Sequence, residues 1–478
     1  MTIVNSGPAA PPSGLGLKSG ASWRLGLAVL CGAAIALAPS IGGLQRPAQY
    51  VLAVTAFSVV LWAFQVMNNG VASILMMGLL ILGGVRVPLV LSGFGGPQFW
   101  VLLCVLFYGF AMQQTGLARR LSLYLLSLFP ATYGGILTAF FLIGLLLALG
   151  VPSMTVRTAI MVPIAWELTQ SLGLGRRTRA SALVVLTTVE MAIIPGCAFL
   201  YGSLYGPVVD SLFRAKALPI TWLGYAEVMT LPTILLCVLL IVVNPLVLRP
   251  EKKLQMSSTF ASEGLAALGP VSRAELITAL IVVLSTAYWA TDRLHHLPSF
   301  LVGMFALAVF ALSGIVTDKD IGGGVSWTLL LFLGGIFSLA NVIQEYKIPE
   351  WLAGYLVPIA SRLTFSTMLV LLLMALLMYV VRFIDPTGFI ALAVLFLPVV
   401  DVTNTAGIPP LVLMAALLLA VVPFWASYQN IWVAMGEGVT GNEAFAPPQR
   451  IALANAYAVL ALVTIVVSVA YWKTIGVL

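Results

Sequence analysis

Charge is what this 478-residue chain has least of: Asp, Glu, Lys and Arg make up 8% of it, against 61% hydrophobic residues. A water-soluble domain carries about 25% charged residues, so a polar-shelled globule is excluded. Only two histidines and 16 acidic residues are present, and they are scattered. No metal-ligand pair, nucleophile motif or phosphate-binding glycine loop appears, which argues against an enzyme and against ATP-driven work. The four cysteines, Cys31, Cys104, Cys197 and Cys237, lack the spacing of a zinc or redox site and read as small core residues. The net charge of +7 is spread over short loops instead of one basic face, so nucleic acid is not an expected partner.

What the chain does have is apolar runs of about 20 residues, repeated along almost its whole length, each sufficient to cross a bilayer as a helix. The runs are continuous and not alternating, which excludes a membrane β-barrel. The expected fold class is an all-α polytopic membrane protein with about 11 transmembrane helices and two re-entrant hairpins in inverted repeats. Residues 1–22, rich in Gly, Pro, Ser and Ala, read as a disordered cytoplasmic tail. A first repeat then spans 23–248, with a hairpin at 131–171. A linker over 249–273 carries Arg249, Lys252, Lys253 and Arg273, and a second repeat follows at 274–478, with a hairpin at 365–402.

Within the repeats, spans are expected near 23–41, 50–66, 71–91 and 98–112, with an amphipathic surface helix, LARRLSLYLLSLF, at 117–129. Broken spans are expected at 180–204, around Pro195 and Gly196, and at 411–436, around Pro423. An interfacial piece is expected at 348–361. With a cytoplasmic amino terminus, thirteen of the 23 Lys and Arg fall on the inner side and eight outside, leaving Arg157 and Arg382 within hairpins. That bias orients the chain in a cell inner membrane.

The halves echo one another. Trp100 corresponds to Trp327 at an offset of 227, Pro195 to Pro423 at 228, Ser153 to Asp385 at 232 and Pro163 to Pro398 at 235. An odd number of crossings separates the copies, so the second is inverted.

The stretch GVPSMTVRTAIMVPI (150–164) poses the functional question, because an arginine at membrane depth costs roughly 2.5 to 3.5 kcal/mol unless a partner or ligand meets it. Ser153 and Thr155 offer hydroxyls at a helix start that can bind an anion, or a coupling sodium ion through the Ser153 lone pairs, and Arg157 can hold a carboxylate or sulfate in a planar fork or pair internally with Glu190 or Asp385. At the second tip, VRFIDPTGF, Thr387 is read as the counterpart of Thr155. Asp385 is a cation ligand, a proton carrier or a helix cap. Each break frees backbone carbonyls for a coupling cation, at Gly196 and Ala426, with Glu190 as a proton site. Ser427 and Asn430 add side chains toward substrate.

These residues resemble the divalent anion:sodium symporter family of the ion transporter superfamily. The stretch LSGFGGPQFWVLLCVLFYGFAMQQTGLARRLSLYLL, followed by PSMTVRTAIMVPI and PGCAFLYGS, carries the resemblance. It implies a homodimer with a scaffold and a moving transport domain, carrying a small di- or tricarboxylate or sulfate by cation-coupled symport. The family's Ser-Asn-Thr motif falls on Ser153-Met154-Thr155 and on Asp385-Pro386-Thr387, and its Thr-Pro-x-Asn on Ser427-Tyr428-Gln429-Asn430. Its Gly-Gly-x-Ala-Thr-x-x-Gly-Thr stretch falls on residues 195–203. Both motif asparagines and one threonine are missing, so two forms of coupling stay open. One uses Na+ as coupling ion with no other cofactor. The other is a proton-coupled or exchanging carrier in which Arg157, Glu190 and Asp385 replace sodium.

Overall fold

The computed structural model describes residues 21–251, 254, 259–352, 354–355 and 366–478. Residues 1–20 of the expected tail, Lys252, Lys253 and half of the 348–361 piece lie outside the described residues, and the first helix starts at Ala21, two residues inside the expected tail. Among the described residues the chain is helical throughout and makes eleven crossings, two of them broken, besides two hairpins.

Six helices are long and apolar enough to cross unaided; others, such as Asn69–Leu82 and Phe300–Leu312, are shorter. The span expected at 71–91 stops at Leu82, because Gly83 and Gly84 follow and Gly84 turns the chain with φ at +88°. Two short helices, Val87–Val90 and Ser92–Gly95, then run to the next crossing. The amphipathic Leu117–Ser127 helix bends 65° from Pro97–Gln114, as a helix turning onto the membrane surface must.

Ion pairs between distant loops audit the topology. Arg120 meets Glu275 at 2.6 Å, Arg176 meets Glu443 at 2.7 Å and Arg179 meets Glu251 at 3.8 Å, all on the side of the amino terminus. On the opposite side Arg86 meets Glu345 at 2.7 Å, Lys216 meets Asp401 at 2.5 Å and Arg293 meets Glu227 at 2.9 Å. None of these pairs joins a loop of one side to a loop of the other, so the alternation of crossings is self-consistent.

The first hairpin consists of Tyr133–Gly150 and Met154–Ser171. Its two feet are together: Ile136 and Leu168 line one small pocket with Leu126 of the surface helix, and Glu167 reaches Arg119 at 3.4 Å. Its tip is at mid-depth. A methyl placed on Gly150 would meet Val282 at 2.6 Å, and Val282 is the tenth of eighteen residues in the crossing Arg273–Ala290. The second hairpin descends as Thr367–Val381, turns, and returns as Phe389–Phe396 and Val400–Thr405. Asp401 on that return sits with Lys216, so this hairpin opens to the other face.

Candidate functional site

Each hairpin tip lies against the break of a span in its own repeat. The first broken span runs Arg179–Ile193, a short 3-10 turn Ile194–Ala198 and Tyr205–Ala215; the second runs Pro410–Leu419, Ser427–Gln429 and Ile431–Val439. Pro195 and Pro423 remove amide donors there and leave carbonyls without helical partners.

Those carbonyls are taken by arginine. Arg157 is fully buried. Its Nε donates to Ala192 O at 2.6 Å, and Nη1 donates to Val151 O at 2.7 Å and Gly202 O at 2.6 Å. Nη2 donates to Ile193 O at 3.4 Å. Arg382, also fully buried, repeats the pattern: Nε donates to Val421 O at 2.8 Å, Nη2 to Gln429 O at 2.8 Å, and Nη1 to Asp385 O. Each guanidinium thus ties a hairpin tip to both lips of the adjacent break. Other carbonyls of the first break are covered as well, Cys197 O by Tyr225 at 3.0 Å and Ala198 O by Thr230 at 3.1 Å.

Arg157 therefore departs from both sequence expectations in this conformation. It presents no fork to an anion, and it is not paired with Glu190 or Asp385. Glu190 is buried about one turn before the first break and accepts from Asn244 Nδ2 at 2.7 Å, while its Oε1 has no partner among the described residues. Gly196 permits the arrangement, since a Cβ on it would sit 2.3 Å from Arg157 Nη2 and 2.5 Å from Gly202 O. Gly196→Ala is expected to destabilise the protein by roughly 1 to 3 kcal/mol, read as a lower melting temperature in detergent, with Gly78→Ala, where a Cβ meets nothing within 4 Å, as a control.

The second tip needs a different register from the one expected. The returning helices start at N-cap Ser153 in the first hairpin and N-cap Gly388 in the second, an offset of 235 that agrees with Pro163 and Pro398. Ser153 therefore corresponds to Gly388 and not to Asp385, and the counterpart of Thr155 is Ile390 and not Thr387. Gly388 has φ at +84°, and a Cβ would press Val421 at 2.7 Å, so serine cannot stand there without strain. Phe389 and Ile390 are buried and offer no side-chain oxygen. Asp385 acts as a cap: its carboxylate accepts from Thr387 N at 3.0 Å, Thr387 Oγ1 at 2.8 Å and Ala391 N at 2.8 Å.

The two repeats cross-link at the tips. Thr155 Oγ1 accepts from Trp432 Nε1 at 3.1 Å, and Thr387 O accepts from Tyr205 Oη at 3.0 Å. Tyr205 and Trp432 are again 227 apart, and their rings meet at 6.2 Å. Ser153 Oγ accepts from Val156 N at 3.3 Å, while Thr155 is exposed and Thr387 half-buried. At the second break Ala426 N donates to Gln429 Oε1 at 3.4 Å and Asn430 Oδ1 accepts from Trp432 N at 3.1 Å. The amide nitrogens of Gln429 and Asn430 are buried without an acceptor among the described residues. Ser427 Oγ donates to Glu437 Oε1 at 2.8 Å and is bonded by Arg450. Arg382, Tyr205, Glu437 and Arg450 are not site candidates on sequence grounds, whereas Gln429 stands with Ser427 and Asn430 as a polar side chain at the second break. The available signal was Arg382, left at membrane depth with Arg157 once every other cation had a loop.

Two inverted halves, each setting a hairpin tip against a broken span at mid-membrane, define a secondary transporter. Residues 19–478 match the family described as "Sodium:sulfate symporter transmembrane region". The chain belongs to that family, so it is a multi-pass membrane transporter of small anions and not an enzyme.

Among curated relatives it is similar to the chloroplastic dicarboxylate transporter 1 of Spinacia oleracea, 23% identical over 401 residues covering 82% of this chain and 70% of that one. It is also similar to the putative malate transporter YflS of Bacillus subtilis, 24% identical over 341 residues, with 69% and 70% covered. The inner membrane protein YbhI of Escherichia coli is 28% identical over 294 residues, with 59% and 60% covered. In fold, the chain is similar to the Alcanivorax borkumensis YdaH transporter, with a TM-score of 0.59 and 16% identity over 90% of this chain and 99% of that one.

Proposed function

We propose that this protein exchanges small dicarboxylates across the membrane without sodium, the hairpin tips and broken spans moving as one unit against the remaining helices within a homodimer. The observation that carries the reading is the pair of fully buried guanidinium groups bonded to the carbonyls at both breaks. In transporters of this architecture, unwound carbonyls are where a coupling cation binds. Here a tethered cation fills each cradle, and the second tip has Gly388-Phe389-Ile390 where side-chain oxygens would be needed.

A bound Na+ can leave; a guanidinium cannot. The tips carry Arg157, Arg382 and the single carboxylate of Asp385, a net charge of +1 that an empty carrier leaves unbalanced at low dielectric and that the first carboxylate of a bound substrate neutralises. Return of the unloaded form is therefore disfavoured, and one anion must come back for each that goes out. Ser153, Thr155 and Thr387 are the hydroxyls assigned to substrate, and the unfilled amides of Gln429 and Asn430 are donors of the kind a carboxylate accepts from. Arg157 holds the tip in place.

The names of the chloroplastic and Bacillus relatives favour dicarboxylates such as malate over sulfate. In proteoliposomes loaded with unlabelled malate, labelled malate and succinate are expected to enter and sulfate to compete weakly. Strong sulfate uptake with none of either dicarboxylate would overturn the substrate assignment. A proton-coupled form of the same exchange would rest on Glu190, whose Oε1 is buried without a partner among the described residues. It would show as uptake that follows an imposed pH gradient.

A further inference from the structure

We propose that Glu437 is a built-in counter-ion that occupies a carboxylate-binding pair, Ser427 Oγ and the Arg450 guanidinium, in the unloaded carrier, and that a carboxylate of the substrate displaces it. The proposal rests on the dicarboxylate function above and adds two residues to its site.

Glu437 lies on Ile431–Val439, the half-helix that leaves the second break, and Arg450 on the first turn of Pro447–Thr474. Arg450 Nη1 donates to Glu437 Oε1 at 2.6 Å and to Ser427 Oγ, and Ser427 Oγ donates to the same Oε1 at 2.8 Å. One carboxylate oxygen thus collects a hydroxyl and a guanidinium donor, the bonding a substrate carboxylate would receive. Arg450 Nε and Nη2 make only long contacts of 3.4 Å to Trp425 O, so the guanidinium is anchored by the break and is not saturated there. This separates Arg450 from Arg157 and Arg382, whose donors go to backbone at both lips of a break.

The pair is neither sealed nor fully wetted. Side-chain exposure is 10% for Arg450 and 18% for Glu437. Close by, Tyr428, next to Ser427, and Ile431 and Ala434 on the helix of Glu437 line a cavity of about 640 Å³. The second hairpin tip contributes Pro386 to the same cavity, and Arg24 is the one charged residue among its described lining. Phe383 of that tip lines the cavity and stacks on Trp425 at 5.7 Å, and Trp425 O is the carbonyl that Arg450 contacts.

A partly buried ion pair held for structure alone behaves differently from a competitor of the substrate. Breaking a structural pair from either end weakens packing and moves both variants the same way. If Glu437 competes, removing its charge frees the donors, whereas removing Arg450 deletes them. Exchange kinetics with labelled succinate test this directly. Glu437→Gln is expected to lower KM about 3- to 10-fold, with a lower maximal rate because release slows; Arg450→Gln is expected to raise KM at least about 10-fold. Glu437→Asp, which keeps the charge but withdraws it, is expected to lower KM less and serves if Gln does not assemble. KM raised in both the Glu437 and Arg450 variants, or unchanged in both, would overturn the proposal. If the unaltered protein exchanges no dicarboxylate, the function it rests on fails first, and the proposal with it.

Discussion

Replacing Arg157 with alanine is expected to abolish dicarboxylate exchange, lowering it at least about 100-fold, and to cost roughly 3 to 5 kcal/mol of stability. The side chain is fully buried and bonds four carbonyls contributed by the hairpin tip and the two lips of the first break. Its loss leaves those carbonyls unpaired at mid-membrane, where no water replaces the donors. Lysine restores charge but not a planar fork, and should recover stability better than transport. Arg157→Thr is the more informative variant, because it empties the cradle without a large cavity-spanning side chain. If the guanidinium stands in for a cation, sodium should raise the melting temperature of Arg157→Thr and not that of the unaltered protein. Uptake unchanged in Arg157→Ala would remove the arginine clamp from the account.

The second large effect is the dependence of transport on what lies across the membrane. With two arginines fixed at the tips, a carrier that has released its anion should rarely return empty. Loading vesicles with unlabelled dicarboxylate is therefore expected to raise the initial rate of labelled uptake at least about 10-fold over empty vesicles, since each 1.4 kcal/mol added to the barrier for empty return slows it tenfold. Net uptake into empty vesicles, matched in rate to exchange, would mean that the unloaded form moves freely.

Much of this architecture was legible in the sequence. The scarcity of charge and the repeated apolar runs defined a polytopic helical protein, and Trp100 with Trp327 and Pro163 with Pro398 exposed its inverted repeat. Composition could not place the second tip in register. Asp385 and Ser153 are both small polar residues beside a turn. The helix starts decide for the 235 spacing of Pro163 and Pro398 over the 232 of Ser153 and Asp385, so Gly388, with its left-handed backbone, takes the place of Ser153. Arg157 was correctly conspicuous, but a charge in an apolar run says only that something meets it. Whether an anion, an acid or backbone carbonyls do so depends on residues 35 to 45 positions away that the fold brings together. Arg450 gave no such signal, because it follows two prolines at the end of a loop and reads as an ordinary interfacial cation.

The most direct test of the central claim, that protein cations fill the sites a coupling ion would use, is the initial rate of succinate exchange as choline replaces sodium at constant pH and ionic strength. The rate should stay within about 1.5-fold over that replacement, since no sodium-binding step enters the cycle. A rate that collapses in choline and is restored by millimolar sodium would contradict it.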